Sequence, residues 1–256
     1  MPLAIRPGEL VRLVRETRSL EQRARPLVLL GAEAPRLADA LRGPGGGDGI
    51  RLGGPLEGAA ALVVVLEGDP VEAEQAAMRR ATRLSVPVMA LTRGARPTLP
   101  YVLDGDVIEA GAGELPLERL ATSLAAALSA DDAVALAASL PPLREAVARR
   151  LTQRTSLENA ARSMSSGNDR PAFPLLTLAQ SRMLLRIGVL SGGAAPTDPQ
   201  RLVASAAPPL LASLLAGAVF RRVYRSLPVQ GPLVGAAVAY AGTRALGELR
   251  RRLPPG

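Results

Sequence analysis

Ala61-Leu62-Val63-Val64-Val65-Leu66 is an unbroken apolar run, with Gly58 upstream and Gly68-Asp69-Pro70 downstream. Six residues are too few for a helix. Three adjacent valines favour extended backbone, and a run that is apolar on both faces belongs in the middle of a parallel sheet. Downstream, Asp69-Pro70-Val71-Glu72 predicts a helix start: Asp69 caps, Pro70 fits the first turn and Glu72 closes a capping box. That helix is expected to reach Leu84, and Pro87 to Leu91 is the next buried strand. Upstream, the apolar Leu27 to Leu30 ends at Gly31, ahead of a helical stretch, Pro35 to Leu41. A Gly/Pro-rich loop fills Gly43 to Gly58 and holds a short strand, Ile50 to Leu52. Beyond the second valine-rich strand, Tyr101 to Leu103 with Val107 to Ile108 reads as a further short strand. Pro116 to Leu128 reads as a helix with Leu117, Leu120, Leu124 and Leu128 on one face. Strand and helix alternate, which implies a parallel sheet with right-handed crossovers.

The rest of the chain reads as helical. Gly8 to Arg25 is a basic amphipathic helix, expected to lie as a surface helix on the next domain rather than on a membrane. Asp131 to Leu140 is a short helix stopped by Pro141 and Pro142. Leu143 to Met164 is a long one with an apolar stripe of Leu143, Val147, Leu151, Leu157, Ala161 and Met164. Ser165 to Pro171 reads as a hinge, and Pro174 to Leu190 as helix. The expected division is an N-terminal helix (1–25), an α/β domain (26–130), a helical linker (131–170) and an apolar helical domain (171–256). The fold class is then α/β plus all-α: a small parallel-sheet layer followed by an apolar helical domain.

Composition removes much chemistry. The chain has no Cys and no His, and all 31 of its basic residues are Arg, in keeping with an Ala-, Gly- and Pro-rich composition. No thiol, imidazole or Schiff-base lysine is available, so covalent catalysis by those groups, His/Cys metal sites and a Ser-His-Asp triad are excluded. A net charge of +8 suits an anionic membrane surface or nucleic acid. The arginines are dispersed and no aromatic residues are interleaved as stacking platforms, which argues against nucleic acid. No apolar h-region follows the opening MPLAIRPGEL, so the cytoplasm of a bacterium is the expected location.

The order strand-Gly-helix, strand, helix, strand, strand, helix resembles an Era-like small GTPase. Position by position the motifs fail. After the first strand, a phosphate-binding G-x-x-x-x-G-K-[ST] is replaced by Gly31-Ala32-Glu33-Ala34-Pro35-Arg36-Leu37-Ala38. Arg36 stands at the second glycine, Leu37 at the lysine and Ala38 at the Mg²⁺-binding hydroxyl, and Glu33 puts negative charge where phosphate would sit. The D-x-x-G motif is absent near ALVVVL, with Gly53-Gly54-Pro55-Leu56 just upstream. Thr92-Arg93-Gly94-Ala95 stands for the guanine-reading N-K-x-D, and Glu109-Ala110-Gly111-Ala112 for the last motif. The resemblance therefore implies a GTPase-type domain without nucleotide chemistry. A flavodoxin-like α/β layer of other ancestry is the alternative.

The segment Pro174-Leu175-Leu176-Thr177-Leu178-Ala179-Gln180-Ser181-Arg182-Met183 is similar to the opening of an uncharacterised bacterial domain found beside Era-like GTPases and in YcjF-type inner-membrane proteins. The similarity continues at Ile187 to Gly192 and at Val234 to Thr243, and covers roughly Pro174 to Leu253. It implies membrane association and no known activity.

Two uncharged runs, Leu202 to Phe220 and Ser226 to Thr243, flank a basic joint, Arg221 to Arg225. A spanning helix needs ~20 apolar residues. Pro208 and Pro209 cut the first run, and Pro228 and Pro232 shorten the second. A hairpin would also leave Arg on both sides, against the positive-inside rule. A re-entrant or interfacial pair keeps every Arg on the cytoplasmic side. Its contact residues would be Leu210, Leu211, Leu214, Leu215 and Phe220, with Arg221, Arg222 and Arg225 on the headgroups. A soluble helical bundle is the alternative. Gly231, Gly235 and Ala239 form a small-residue stripe that suits helix packing in either solvent.

Gln180, Arg182, Arg186 and Thr243 are the remaining polar candidates in this half, expected to serve helix ends and interhelical hydrogen bonds rather than a ligand. Asp131-Asp132 is expected to start a helix, and Asp104 and Asp106 to lie in a turn. The expected function is a non-enzymatic, membrane-associated protein, without cofactor or metal, at the cytoplasmic face of the inner membrane. It would act through an unknown protein partner, with homo-oligomer formation as a further option. The alternatives are a nucleotide- or phosphate-binding enzyme with an Arg-based site, and a soluble helical scaffold.

Overall fold

The structure is a computed structural model. It describes residues 24–44, 46–94, 97, 99–111, 115–165, 173–190 and 232–252, and the single positions 12, 15, 16, 19, 219 and 222. The chain forms two compact units, one of Leu20–Val147 and one of Met1–Ser19 with Ala148–Gly256.

The first unit is an α/β layer around a five-stranded parallel sheet. Its strands are β1 (Leu27–Leu30), β2 (Ile50–Leu52), β3 (Ala61–Leu66), β4 (Val88–Arg93) and β5 (Val107–Ala110), in the spatial order β2-β1-β3-β4-β5. All four pairings are parallel. β3 is central and all six of its residues are buried. Val64 pairs with Leu30 on one side and Ala90 on the other. Side chains alternate between the faces, so each strand feeds two cores. One core takes Val28, Leu62, Val64, Leu66, Val88 and Ala90 against Met78 and Ala81. Met78 and Ala81 belong to helix α2 (Glu72–Arg83), the element between β3 and β4.

Leu27, Leu29, Val63, Met89 and Leu91 alternate with that set and are equally buried. Helices α1 (Ala34–Arg42), α3 (Leu117–Ala127) and α4 (Ala130–Ser139) bury Leu37, Leu41, Leu120, Leu124 and Leu136 completely. These three helices gather around the 3-10 turn Pro141–Leu143. The stretch from Ala130 therefore belongs to the α/β unit, where Val134 and Leu136 are fully buried. Ser129 caps α4 by accepting from the Asp132 backbone N–H at 3.1 Å, and Arg25 pairs with the Asp132 carboxylate at 3.5 Å. Asp104 and Asp106 lie in a 3-10 turn, and burial raises the Asp106 carboxyl above the ordinary range.

Two local expectations shift. The α2 start lies two residues later than the Asp69 reading: Val71 is the N-cap, and its N–H donates to Glu74 Oε2 at 3.0 Å. Glu74, not Glu72, is the carboxylate that reaches back to the N-cap, and valine has no acceptor to return the bond. Tyr101 to Leu103 is turn rather than strand, and the edge strand is Val107–Ala110 alone.

The second unit contains α5 (Arg144–Ser165) from Ala148 onward, α6 (Phe173–Leu190) and α7 (Pro232–Arg252). α6 and α7 pack along each other. The described positions near the N-terminus, 12, 15, 16 and 19, are helical and belong to this unit. Glu16 pairs with Arg182 of α6 at 3.3 Å.

Candidate functional site

The carboxyl ends of the strands are where doubly wound sheets take ligands. β1 enters α1 through Gly31, whose φ is +108°. A Cβ at this position would strike the Val65 carbonyl oxygen of β3, so glycine is required both for the turn and for the close approach. Arg36, Leu37 and Ala38 lie inside α1, and the Leu37 and Ala38 side chains are completely buried. The place where a phosphate-binding lysine and hydroxyl would project is thus part of the hydrophobic core.

Glu33 stands at the N-terminal end of α1. Its Oε2 lies 3.2 Å from Arg36 Nη1 and 3.1 Å from Arg93 Nη2. Arg93 closes β4, and the parallel register carries it to the same end of the sheet as the β1–α1 turn. Its side chain is 22% exposed and that of Glu33 27%, so this pair is largely removed from water. The positive end of the α1 dipole adds to the field at the carboxylate.

Beside Arg93, the ends of β3, β4 and β5 open a cleft of about 880 Å³, lined by Glu67, Arg93, Gly94, Glu109, Ala110, Gly111 and Arg119. Arg119 donates to the Glu109 backbone carbonyl at 3.3 Å. Two carboxylates and two guanidiniums line the same opening, so it has no dominant charge. Among the described residues, no three acidic side chains converge as metal ligands. The cleft can offer hydrogen bonds and salt links; it contains no thiol, imidazole or amine nucleophile.

The interior of the helical unit mixes apolar side chains, such as Leu151, Met183, Leu184 and Ile187, with polar ones. On α5, Thr152, Ser156 and Asn159 are buried, while Leu157 and Met164 are about half exposed. The stripe expected through Leu157, Ala161 and Met164 is therefore corrected: beyond Leu151 the buried face is the small polar one. Thr152 and Ser156 hydroxyls donate to their own helix, to the Ala148 and Thr152 carbonyls at 2.9 and 2.7 Å. Satisfied in this way, they bury at little cost and leave room for a neighbour. Gly247 of α7 uses that room; a Cβ there would strike Thr152. Asn159 Nδ2 and Gln180 Nε2 both donate to the Thr243 hydroxyl at 3.0 Å, tying α5 and α6 to α7.

Gln180 and Thr243 are thus brought together, with Asn159, which the sequence did not mark. Arg182 is exposed and faces Glu16; Arg186 is half-buried. Gly235 and Ala239 are buried on α7, in a four-residue series with Thr243 and Gly247. Leu210, Leu211, Leu214, Leu215, Phe220, Arg221, Arg225 and Gly231 lie outside the described residues, and Arg222 is helical and exposed. Among the described residues, no helix is long and apolar enough to cross a membrane.

No protein-family model, no curated protein and no solved structure matches the chain.

Proposed function

We propose that this is a non-enzymatic protein whose α/β unit is of GTPase or flavodoxin type without a working nucleotide site, and that it acts through protein partners at a membrane surface. One observation carries the first half. The corner where such sheets take phosphate is filled by the chain's own Glu33, held between Arg36 and Arg93. A phosphate brought there would meet a carboxylate instead of amide and ammonium donors. The strand order β2-β1-β3-β4-β5 is the flavodoxin-like doubly wound order, with its switch point between β1 and β3, beside this filled corner. Titration of the full chain with a fluorescent GTP or ATP analogue and Mg²⁺ is expected to show no saturable binding in the micromolar range, about −8 kcal/mol. Micromolar affinity would sink this reading and favour a phosphate-binding enzyme with an Arg-based site.

The membrane half rests on the two uncharged runs, the Arg residues flanking them, and the resemblance to YcjF-type proteins. It assigns contact to Leu210, Leu211, Leu214, Leu215 and Phe220, with Arg221, Arg222 and Arg225 against anionic headgroups. The small-residue series Gly235, Ala239, Thr243 and Gly247 supports close helix packing of the kind common in membrane proteins, and equally in a compact scaffold.

A further inference from the structure

Glu33 does not complete the site that it fills. Arg93 Nε and Nη2 are the two parallel donors of a guanidinium's side-on fork, the pair that suits two oxygens of one oxyanion. Both atoms are buried, and among the described residues neither has a hydrogen-bond partner. Glu33 Oε2 lies 3.1 Å from Nη2, which satisfies charge, but it lies off the hydrogen-bond direction. Buried donors left unmade are costly, and Arg cannot shed its proton to escape that cost. Arg36 approaches the same carboxylate oxygen from α1. The corner therefore has two guanidiniums converging on one point and a fork that a multi-oxygen anion would satisfy better than Glu33 does.

We infer that the β1–α1 corner is an oxyanion site kept closed by Glu33, and that a phosphate or carboxylate group takes the place of this side chain when it is withdrawn. The inference rests on the reading that the resident carboxylate is what excludes nucleotide. The charge balance supports it. Among the described residues Glu33 is the one carboxylate within ion-pair distance of Arg93. Glu67 and Glu109 line the neighbouring cleft without contacting it as an ion pair. Withdrawing Glu33 therefore leaves a largely buried guanidinium without a direct partner, which favours an incoming anion.

The test uses the full chain and two probes, inorganic phosphate and acetate, titrated by calorimetry against chloride at matched ionic strength. The wild type is expected to bind neither saturably. Glu33→Ala is expected to bind at least one of them about tenfold tighter or more than the wild type. A phosphate preference identifies a phosphate ligand, and equal binding of acetate a carboxylate one. Adding Arg93→Gln, or the milder Arg36→Gln at its exposed helix position, should weaken that binding. If Glu33→Ala does not fold, Glu33→Gln answers the same question, since it removes the charge and keeps the shape. A folded Glu33 variant that binds neither anion better than chloride would overturn the inference, as would binding indifferent to both Arg substitutions. Micromolar nucleotide binding by the wild type would instead sink the non-enzymatic reading, a separate outcome read on a different protein.

Discussion

Val64→Asp is expected to abolish folding of the α/β unit. Val64 is completely buried at the centre of β3, between Leu30 and Ala90. Its face packs on Met78 and Ala81, with Leu62, Leu66 and Val88 around it. An unpaired carboxylate there costs several kcal/mol, against a total stability of about 5–15 kcal/mol for a domain. Soluble yield and the urea midpoint of the full chain report the loss. A folded variant with an unchanged midpoint would place this strand outside the core.

Thr243→Val is expected to lower stability by about 2–5 kcal/mol, from two buried amide donors losing one acceptor. Asn159 and Thr243 are completely buried and Gln180 nearly so. Neither Asn159 nor Gln180 can turn its NH₂ to water without breaking the packing of α5, α6 and α7. Thr243→Ser keeps the hydroxyl and should recover most of the loss. Replacing all three residues by apolar ones of similar size should also recover part of it, because leaving a donor unmade costs more than removing the whole bond. Urea denaturation of the full chain gives these differences. A Thr243→Val midpoint equal to the wild type would show that the three-residue link carries no stability.

The sheet was legible because parallel strands are buried on both faces and so are written as short, wholly apolar runs. Leu27–Leu30, Ala61–Leu66 and the VMAL of β4 all have this form. Gly31 was legible as the end of the first strand, but its close approach to Val65 was not, because that contact depends on the pairing of β1 with β3. The α2 cap was misplaced because Asp69 and Glu72 fit the capping pattern as well as Glu74 does, and geometry chose the later carboxylate. The α5 stripe misled for a deeper reason. Periodicity assumes that apolar residues face inward, whereas Thr152 and Ser156 satisfy themselves on their own helix and are small enough to admit Gly247. Arg93 was noted only as a failed motif position. Nothing local distinguishes it among 31 arginines; only the pairing of β1, β3 and β4 places it opposite Glu33.

The central claim, attachment to an anionic membrane surface, is tested most directly by co-flotation of the full chain with vesicles. Truncation before Leu202 is a poor substitute, because it removes Thr243 and leaves Asn159 and Gln180 without their acceptor. Apolar burial should hold the protein on the vesicle, and each Arg near an anionic surface should add ~1 kcal/mol, screened by salt. The account predicts flotation with anionic vesicles, weaker flotation with neutral ones, and a larger loss on the anionic ones when Arg221, Arg222 and Arg225 are replaced by Gln. A full-length protein that stays soluble and monomeric without detergent, and floats with neither kind of vesicle, would contradict it.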